Sequence, residues 1–569
     1  MSERLGGSSP YAERPWLKHY PPHVKPDLEY PHIPVYRFLD KSAREFPQQT
    51  ATVFYGARLT YLDLLEQVNK FSRVLTDLGV EKGQRVAVML PNCPQALIAY
   101  YAVLKLGAVV VQTNPLYVER ELEFQLKDSG ARTLVILDLL YPRAAAVKSR
   151  TNLKNIIVTG LQEYMPAFKR PLYGLKMRRE GKHIKFTAKQ GIYRFADLML
   201  DAAPFSPRVE AKADDLALLQ YTGGTTGVAK GAMLSHHNLV ANVLQVREWM
   251  LDAQPGKERM LCALPFFHVY GMTVAMNLAI SMGAELILTP RFEIKDTLKL
   301  IHKHRPTFFP GAPTMYVAVN NYPELKKYNL SSIRSCISGS APLPVEVQET
   351  FERLTGGKLV EGYGLTEASP VTHSNPLEGL RKVGSIGIPM PDTECKIVDP
   401  ETWEEVPQGE IGELAVKGPQ VMQGYWHRPE ETSATLREGW LYTGDMAKMD
   451  ADGFFSIVDR KKDVIIAGGF NIYPREIEEV LYGYPKVQEA AVLGVPDPYR
   501  GETVKAYIVL KPGEKADKEE LVAYCKERLA AFKVPRIVEF KRELPKTIVG
   551  KVLKRQLLEE TLKEDPGRK

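Results

Sequence analysis

Cysteine is scarce. The 569 residues contain five (Cys93, Cys262, Cys336, Cys395 and Cys525), scattered and never in a Cys-x-x-Cys pair. That excludes a disulfide framework and a structural zinc cluster, and it suits a reducing cytoplasm. The first residues, Met1-Ser-Glu-Arg-Leu-Gly-Gly7, contain no apolar stretch, so no secretory signal is expected. Long hydrophobic runs are missing as well. The two most apolar stretches, 98–112 and 272–289, are interrupted by Lys105 and Glu285 and are short for a membrane span. The chain is therefore expected not to cross a bilayer. It has no internal repeat and no low-complexity segment.

An excess of one charge sign is confined to a single place. The formal net charge is +7, and the run 169–185 holds seven basic residues (169, 170, 176, 178, 179, 182 and 185) against Glu180 alone. Leu172, Tyr173, Leu175, Met177 and Phe186 are interleaved with them. Such a run is either a solvated basic loop or a surface that rests on anionic lipid headgroups. No nucleic-acid motif accompanies it, so nucleic acid is not an expected partner.

What is present begins with length, which is too great for one hydrophobic core and predicts two or more domains. Residues 11–35, rich in Pro, Tyr and His, are expected to form an extended arm. Up to about 220, strand-like runs (85–90, 133–137, 155–158) alternate with helix-like segments (61–78, 94–107), the pattern of parallel α/β sheets. Short buried strands are expected again at 260–264, 285–288 and 335–338. From 394 to 418 the texture becomes strand–turn–strand, a small β unit. The last 110 or so residues read as a separate α+β module, joined near Asp459-Arg-Lys-Lys-Asp463.

The most informative stretch is Tyr221-Thr-Gly-Gly-Thr-Thr-Gly-Val-Ala-Lys-Gly231, placed directly after the apolar run 216–219. Glycines let backbone N–H groups approach an anion, threonine hydroxyls add donors, and the lysine adds a mobile positive charge. This composition describes a loop around a polyphosphate. A Walker P-loop is excluded at two positions. Ala229 stands before the lysine where glycine belongs, and Gly231 occupies the place of the magnesium-binding Ser/Thr.

Other candidates follow in order. Gly362-Tyr-Gly-Leu-Thr-Glu367 gives Tyr363 room beside a flat ligand such as adenine, with Thr366 as a hydroxyl and Glu367 as a carboxylate suited to Mg²⁺. Ser338-Gly-Ser-Ala341 is another close-approach turn. Asp445, in Tyr442-Thr-Gly-Asp445, is either a turn residue or a ligand for ribose hydroxyls. Arg460 is followed by Gly468-Gly-Phe-Asn-Ile-Tyr-Pro474, and Gly550 presents Lys551 from a turn. His268, among Phe266, Phe267, Val269 and Tyr270, is either a packed core residue or part of the wall of a hydrophobic tunnel.

This set, in this order over roughly 35–560, resembles the adenylate-forming superfamily of acyl-CoA synthetases, luciferases and peptide-synthetase adenylation domains. The stretches 222–234, 439–445, 459–463 and 474–478 are most similar to bacterial long-chain fatty-acid–CoA ligases. The resemblance implies an α/β fold. It has a large N-terminal domain (1–458) of two α/β sheets plus a small β-barrel-like unit, a hinge (459–463) and a small mobile α+β C-terminal domain (464–569).

It also implies a two-step reaction of ATP, a fatty acid and coenzyme A with Mg²⁺, giving acyl-CoA, AMP and diphosphate through an acyl-adenylate. Thr222, Gly223, Gly224, Thr225, Thr226, Gly227 and Lys230 would hold the β- and γ-phosphates. Gly339, Ser340, Ala341, Gly362, Tyr363 and Gly364 would receive adenine. Thr366 would lie at the α-phosphate, and Glu367 would take Mg²⁺. Asp445 and Arg460 would take the ribose. Lys551 would reach the reacting α-phosphate and carboxylate, and with Glu367 and Thr222 would form the catalytic set. The hinge residue would be Asp459, with Gly468, Gly469, Phe470 and Asn471 serving coenzyme A. His268, Gly311, Ala312 and Pro313 would line the acyl channel. The alternatives are a medium-chain or aryl-CoA ligase, or an acyl-AMP ligase that loads a carrier protein. A peripheral contact with anionic membrane through 169–185, at the inner membrane face, and a homodimer complete the expected partners.

Overall fold

The computed structural model describes residues 9–564, apart from 183, 185, 189–190, 204, 206–209, 223–228, 251, 468–469, 498 and 548–549. Two compact units result. One comprises Leu17–Glu394 with Lys417–Leu441; the other comprises Met1–Trp16, Cys395–Val416 and Tyr442–Lys569.

The larger unit is built on an eight-stranded sheet and a second, composite sheet. In the eight-stranded sheet the spatial order is Gly424–Tyr425, Lys230–Ser235, Leu216–Thr222, Val109–Gln112, Arg85–Met89, Thr133–Leu137, Asn155–Thr159 and Ile192–Arg194. From Leu216–Thr222 onward its neighbours are parallel, and the first two strands add antiparallel pairs at one edge. The interior strands are Val-, Leu- and Ile-rich and buried on both faces, as parallel strands covered by helices must be. The composite sheet has one part with Arg259–Cys262, Glu285–Leu288, Thr50–Phe54 and Ala57–Thr60. Its other part has Ser335–Ser338, Lys358–Gly364, Val371–Ser374 and Ile388–Pro389. Single-residue bridges through Phe308 join the two parts. The α/β expectation holds.

Two local features explain the packing. Helix Tyr61–Asp77 starts at a capping box in which the Thr60 hydroxyl accepts from Asp63 N and the Asp63 carboxylate accepts from Thr60 N. It buries Leu64, Val68, Phe71 and Leu75, spaced for one face of a helix. Helix Pro94–Lys105 is buried on every side. Even Lys105 is only 9% exposed, its Nζ held by Asp40 Oδ1 at 2.9 Å. The apolar run 98–112 is thus a core helix and a central strand. Among the described residues no helix is long and apolar enough to cross a membrane.

In the smaller unit the strands Phe470–Ile472, Ile465–Ala467, Gly501–Leu510 and Val487–Asp497 form one sheet, with Ile537–Phe540 pairing Gly501–Leu510. Helices Pro474–Tyr482 and Lys518–Lys526 bury Ile477, Leu481, Leu521 and Cys525 in its core. The β-barrel-like unit is corrected. Strands Glu394–Val398, Gly412–Lys417, Trp440–Met449 and Phe455–Arg460 belong to an open five-stranded sheet whose ends do not meet. The long strand Trp440–Met449 serves several neighbours at once, so the sheet fans out from it instead of closing. The arm is anchored as well, since Trp16 is buried with its ring 5.8 Å from that of Phe455. All five cysteines are buried thiols, none of them in a disulfide.

Thr60→Ala removes the cap oxygen of helix Tyr61–Asp77 and should lower the stability of the larger unit by about 1 kcal/mol. Chemical denaturation followed by circular dichroism would detect this, and an unchanged midpoint would refute the capping account.

Candidate active site

The glycine- and threonine-rich stretch joins strand Leu216–Thr222 to strand Lys230–Ser235. They pair antiparallel, with Thr222 opposite Lys230 and Tyr221 opposite Gly231. Gly223, Gly224, Thr225, Thr226 and Gly227 lie outside the described residues; Thr222 and Lys230 mark the two ends of the connection. The strand before it is pinned from the side. Tyr221 donates its hydroxyl to Asp128 Oδ2 at 2.7 Å, and Arg428 Nη2 pairs with Asp128 Oδ1 at 2.8 Å. Gly231 is glycine for a reason of space: a Cβ would stand 3.2 Å from the Tyr221 ring.

The second cluster gathers at the carboxyl ends of Ser335–Ser338 and Lys358–Gly364, parallel neighbours with Ser338 opposite Glu361. Ligands of α/β sheets sit at such strand ends. Here the backbones nearly touch. Gly339 N donates to Gly311 O at 3.1 Å, and a Cβ on Gly339 would stand 3.1 Å from the Tyr270 ring. A Cβ on Gly364 would lie 2.0 Å from Pro370 O. Tyr270 closes the floor by donating to Ile337 O at 2.6 Å. Ser340 adopts φ 72°, turning the chain away from the strand end toward Ala341. Tyr363, half-buried, has its ring 5.9 Å from that of His373. His268 is partly exposed, with Phe266, Phe267, Val269 and Tyr270 buried around it, and its Nδ1 accepts from Tyr270 N at 3.3 Å. Ala312 and Pro313 are buried at the start of helix Pro313–Asn320. The structure thus brings His268, Gly311, Gly339, Gly362 and Tyr363 into one neighbourhood.

Thr366 and Glu367 follow in a short 3-10 turn, both half-buried. Glu367 Oε1 accepts from the Tyr425 hydroxyl at 2.7 Å. Burial first, then the Glu367 carboxylate, raise the Tyr425 phenol well above its ordinary value, so at neutral pH it keeps its proton and donates. Lys230 Nζ is 5.4 Å from the centroid of the Tyr425 ring and 4.0 Å from Glu431 Oε1. No motif argument found Tyr425. The available signal was the glycine–aromatic pair Gly424-Tyr425, the pattern that marked Gly362-Tyr363.

In the smaller unit, Asp445 and Arg460 are cross-strand partners, with Arg460 Nε 3.5 Å from Asp445 Oδ1. Gly444, at φ 71°, donates its N–H to Glu413 Oε1, whose other oxygen pairs with Lys461 Nζ at 3.1 Å. Asp459 is buried. Its two oxygens accept from Arg460 N and Arg475 N, both at 2.8 Å, tying the strand end to the start of helix Pro474–Tyr482. Burial raises its carboxyl above the usual value, and the charge of Lys554 opposes that.

Lys551 closes a turn in which its N donates to Thr547 Oγ1 at 3.1 Å and its O accepts from Thr547 N at 2.8 Å. Gly550 supplies φ 81° there. Burial and the nearby Arg460 charge push the Lys551 ammonium down to about 8, against the pull of Asp445 and Asp463. Asp445, Arg460 and Lys551 therefore interact electrostatically. Phe470 is exposed and stacks on Phe532 at 4.6 Å, and Asn471 beside it is exposed. Gly468 and Gly469 lie outside the described residues.

Residues 39–426 match the model of the AMP-binding enzyme family, and 476–551 match that of the AMP-binding enzyme C-terminal domain. The chain belongs to the AMP-binding enzyme family. It is 53% identical to a long-chain-fatty-acid–CoA ligase of Bacillus subtilis (strain 168), over 96% of this chain and 98% of that protein. Among solved structures it resembles an anthranilate CoA ligase, AuaEII, in complex with anthranoyl-AMP. The TM-score is 0.85 at 27% identity, over 95% of this chain and 99% of that one. ATP-bound MatB from Rhodopseudomonas palustris follows with TM-score 0.82 and 31% identity, over 94% and 99%.

Proposed function

We propose that this protein is an AMP-forming long-chain fatty acid–CoA ligase. A fatty acid carboxylate oxygen attacks the α-phosphorus of ATP, diphosphate leaves, and an acyl-adenylate forms. The thiol sulfur of coenzyme A then attacks the acyl carbonyl carbon, loses its proton, and AMP departs. The single observation that carries this reading is the 53% identity to the Bacillus subtilis ligase over nearly the whole of both chains. The glycine-packed strand ends beside Tyr363, Thr366 and Glu367 support it as a place for an adenylate.

The residue roles are those the family resemblance implies, and the chemistry agrees with them. Bringing a carboxylate to a polyphosphate assembles like charges, so cations and aligned donors must offset the repulsion. Thr222 to Lys230 hold the β- and γ-phosphates, Tyr363 flanks adenine with 339–341 nearby, and Asp445 with Arg460 takes the ribose hydroxyls. Glu367 fits a magnesium ion: Tyr425 holds one oxygen, and among the described residues no side chain hydrogen-bonds the other. When bound, Mg²⁺ would neutralise phosphate charge and act as a Lewis acid. Lys551 supplies the mobile cation at the reacting atoms. The small domain 464–569, turning about Asp459, withdraws it before coenzyme A enters past 468–471. His268 and 311–313 line the acyl channel.

The same reading extends to a membrane. Phe168, Leu172 and Leu175 are 73%, 66% and 48% exposed, and their spacing of four and three residues puts them on one face of the segment that runs into helix Arg170–Arg179. Exposed Lys176, Arg178, Arg179 and Lys182 flank that stripe. An apolar stripe with a basic border suits an anionic lipid surface, which also holds the long-chain substrate.

Three sets of measurements, on substrate choice, on Lys551 and on vesicle binding, test this reading. In a panel of C2 to C18 and aromatic acids, AMP release with CoA should show its highest kcat/KM on a long-chain acid; a maximum on acetate or an aryl acid would overturn the substrate assignment. Lys551→Ala should slow adenylate formation about 10²- to 10³-fold while leaving conversion of supplied acyl-AMP to acyl-CoA largely intact. In the unmodified enzyme, kcat/KM for adenylate formation should fall as pH rises through about 8, because the protonated lysine is the useful form. Lys551→Arg should remove that fall, since a guanidinium keeps its proton. Equal loss of both half-reactions in Lys551→Ala would defeat the moving-lysine account. Finally, replacing Lys176, Arg178 and Arg179 with Ala should weaken binding to phosphatidylglycerol vesicles on the order of a hundredfold, with phosphatidylcholine vesicles as control. Unchanged affinity would remove this helix from the membrane contact.

A further inference from the structure

Lys230 and Glu367 lie on different elements, yet both must meet one triphosphate if the proposed function is right. The segment 422–426 lies between them. Its backbone is stitched to both sides. Gln423 N donates to Met233 O at 2.9 Å and Trp426 N to Gly231 O at 2.8 Å, while Met422 N donates to Glu367 O at 2.8 Å. Strand Gly424–Tyr425 pairs antiparallel with Lys230–Ser235, Tyr425 opposite Ala232. Gly424 has φ 140°, and a Cβ there would stand 2.7 Å from Thr432 Cγ2. Thr432 Oγ1 accepts from Tyr425 N at 2.9 Å, so the residue is held at its backbone as well as at its hydroxyl.

The side chain completes the bridge. Its hydroxyl donates to Glu367 Oε1 at 2.7 Å, and the Lys230 ammonium lies 5.4 Å from its ring centroid. Tyr425 is 9% exposed, so solvent screens neither contact strongly.

We propose that Tyr425 is a positioning residue that couples the lysine of the phosphate loop to the metal-binding carboxylate. The inference rests on the reading of Glu367 as the magnesium ligand. The hydroxyl occupies Oε1 and stops the carboxylate from rotating, which leaves Oε2 as the oxygen offered to the metal. The ring face steadies Lys230 through its quadrupole while leaving the ammonium protons to phosphate. Both groups are then oriented before the nucleotide arrives, and orientation set in advance raises affinity and rate without a new contact to the reacting atoms. Tyr425 takes no part in bond making; its proton stays between the phenol and Glu367.

The test uses the full-length enzyme, with Mg²⁺ and ATP as probes. Tyr425→Phe keeps the ring and removes the hydroxyl. It should raise the Mg²⁺ concentration for half-maximal diphosphate release on the order of tenfold, the scale of a hydrogen bond to a charged group. By calorimetry it should weaken ATP binding in the presence of Mg²⁺ and leave ATP binding in EDTA unchanged. Tyr425→Leu, which also removes the ring, should weaken ATP binding in EDTA as well. In a Glu367→Gln background, Tyr425→Phe should add no further shift in Mg²⁺ dependence. A merely structural role would instead lower thermal stability and metal-free ATP binding alike. If Glu367→Gln shifts the Mg²⁺ dependence and Tyr425→Phe does not, or if the two shifts add, the coupling role is overturned. If Glu367→Gln itself leaves Mg²⁺ dependence unchanged, the metal reading of Glu367 fails and this inference fails with it.

Discussion

Close packing against glycine backbone at the carboxyl ends of two parallel strands is the constraint from which the candidate site is built. Gly311, Gly339, Gly362 and Gly364 stand where side chains would meet Tyr316, Tyr270, Ile337 and the carbonyl of Pro370. With no Cβ in the way, the turns after Ser338 and Gly364 leave adjacent strands, and even a Cβ on Gly339 would stand only 3.5 Å from Gly362 O. Tyr270 seals the space behind them by donating to Ile337 O. The Thr366–Glu367 turn hangs from the same strand, so its carboxylate inherits its place from that packing. A methyl group added at Gly364 would meet main chain at Pro370 O, and one added at Gly311, Gly339 or Gly362 would meet a packed side chain, where there is no room for it.

Charge placement forms the second layer. Around the larger unit's strand ends, Lys230, Tyr425 and Glu367 form a short chain of polar and aromatic contacts in which the phenol ring stands between the ammonium and the carboxylate. Within the smaller unit the arrangement is different. Arg460 and Lys551 are like charges in one partly buried place, balanced by Asp445 and Asp463. Such an arrangement costs stability unless an anion completes it. A cation kept at the edge of losing its proton, and waiting for negative charge, is a functional arrangement more than a stabilising one.

Much of the architecture was legible in the sequence because periodicity and burial are local properties. The strands at 133–137, 285–288 and 335–338 and the helix beginning at Tyr61 appear where the apolar pattern put them. The barrel-like unit was not legible. Strand–turn–strand texture over 394–418 says that strands exist, but closure depends on which edges pair, and the long strand Trp440–Met449 takes its partners so that the sheet stays open. Tyr425 escaped notice for a related reason. Its meaning lies in a hydrogen bond to a residue 58 positions earlier in the chain, which no local pattern encodes.

By itself the sequence determined the chemistry on offer. A glycine–threonine–lysine stretch, a Gly-Tyr-Gly turn ending in Thr-Glu, and a late lysine after glycine are statements about residue types at fixed spacings, and residue type sets donors, charges and backbone freedom. Tertiary structure alone decided which of these groups share a space and in what state. It set Arg460 beside Lys551 and lowered that ammonium to about 8, and it put a phenol on one oxygen of Glu367. Proximity, burial and the choice of which carboxylate oxygen is held arise from long-range packing, where electrostatic strength depends on distance and local dielectric, and neither is written in any short stretch of chain.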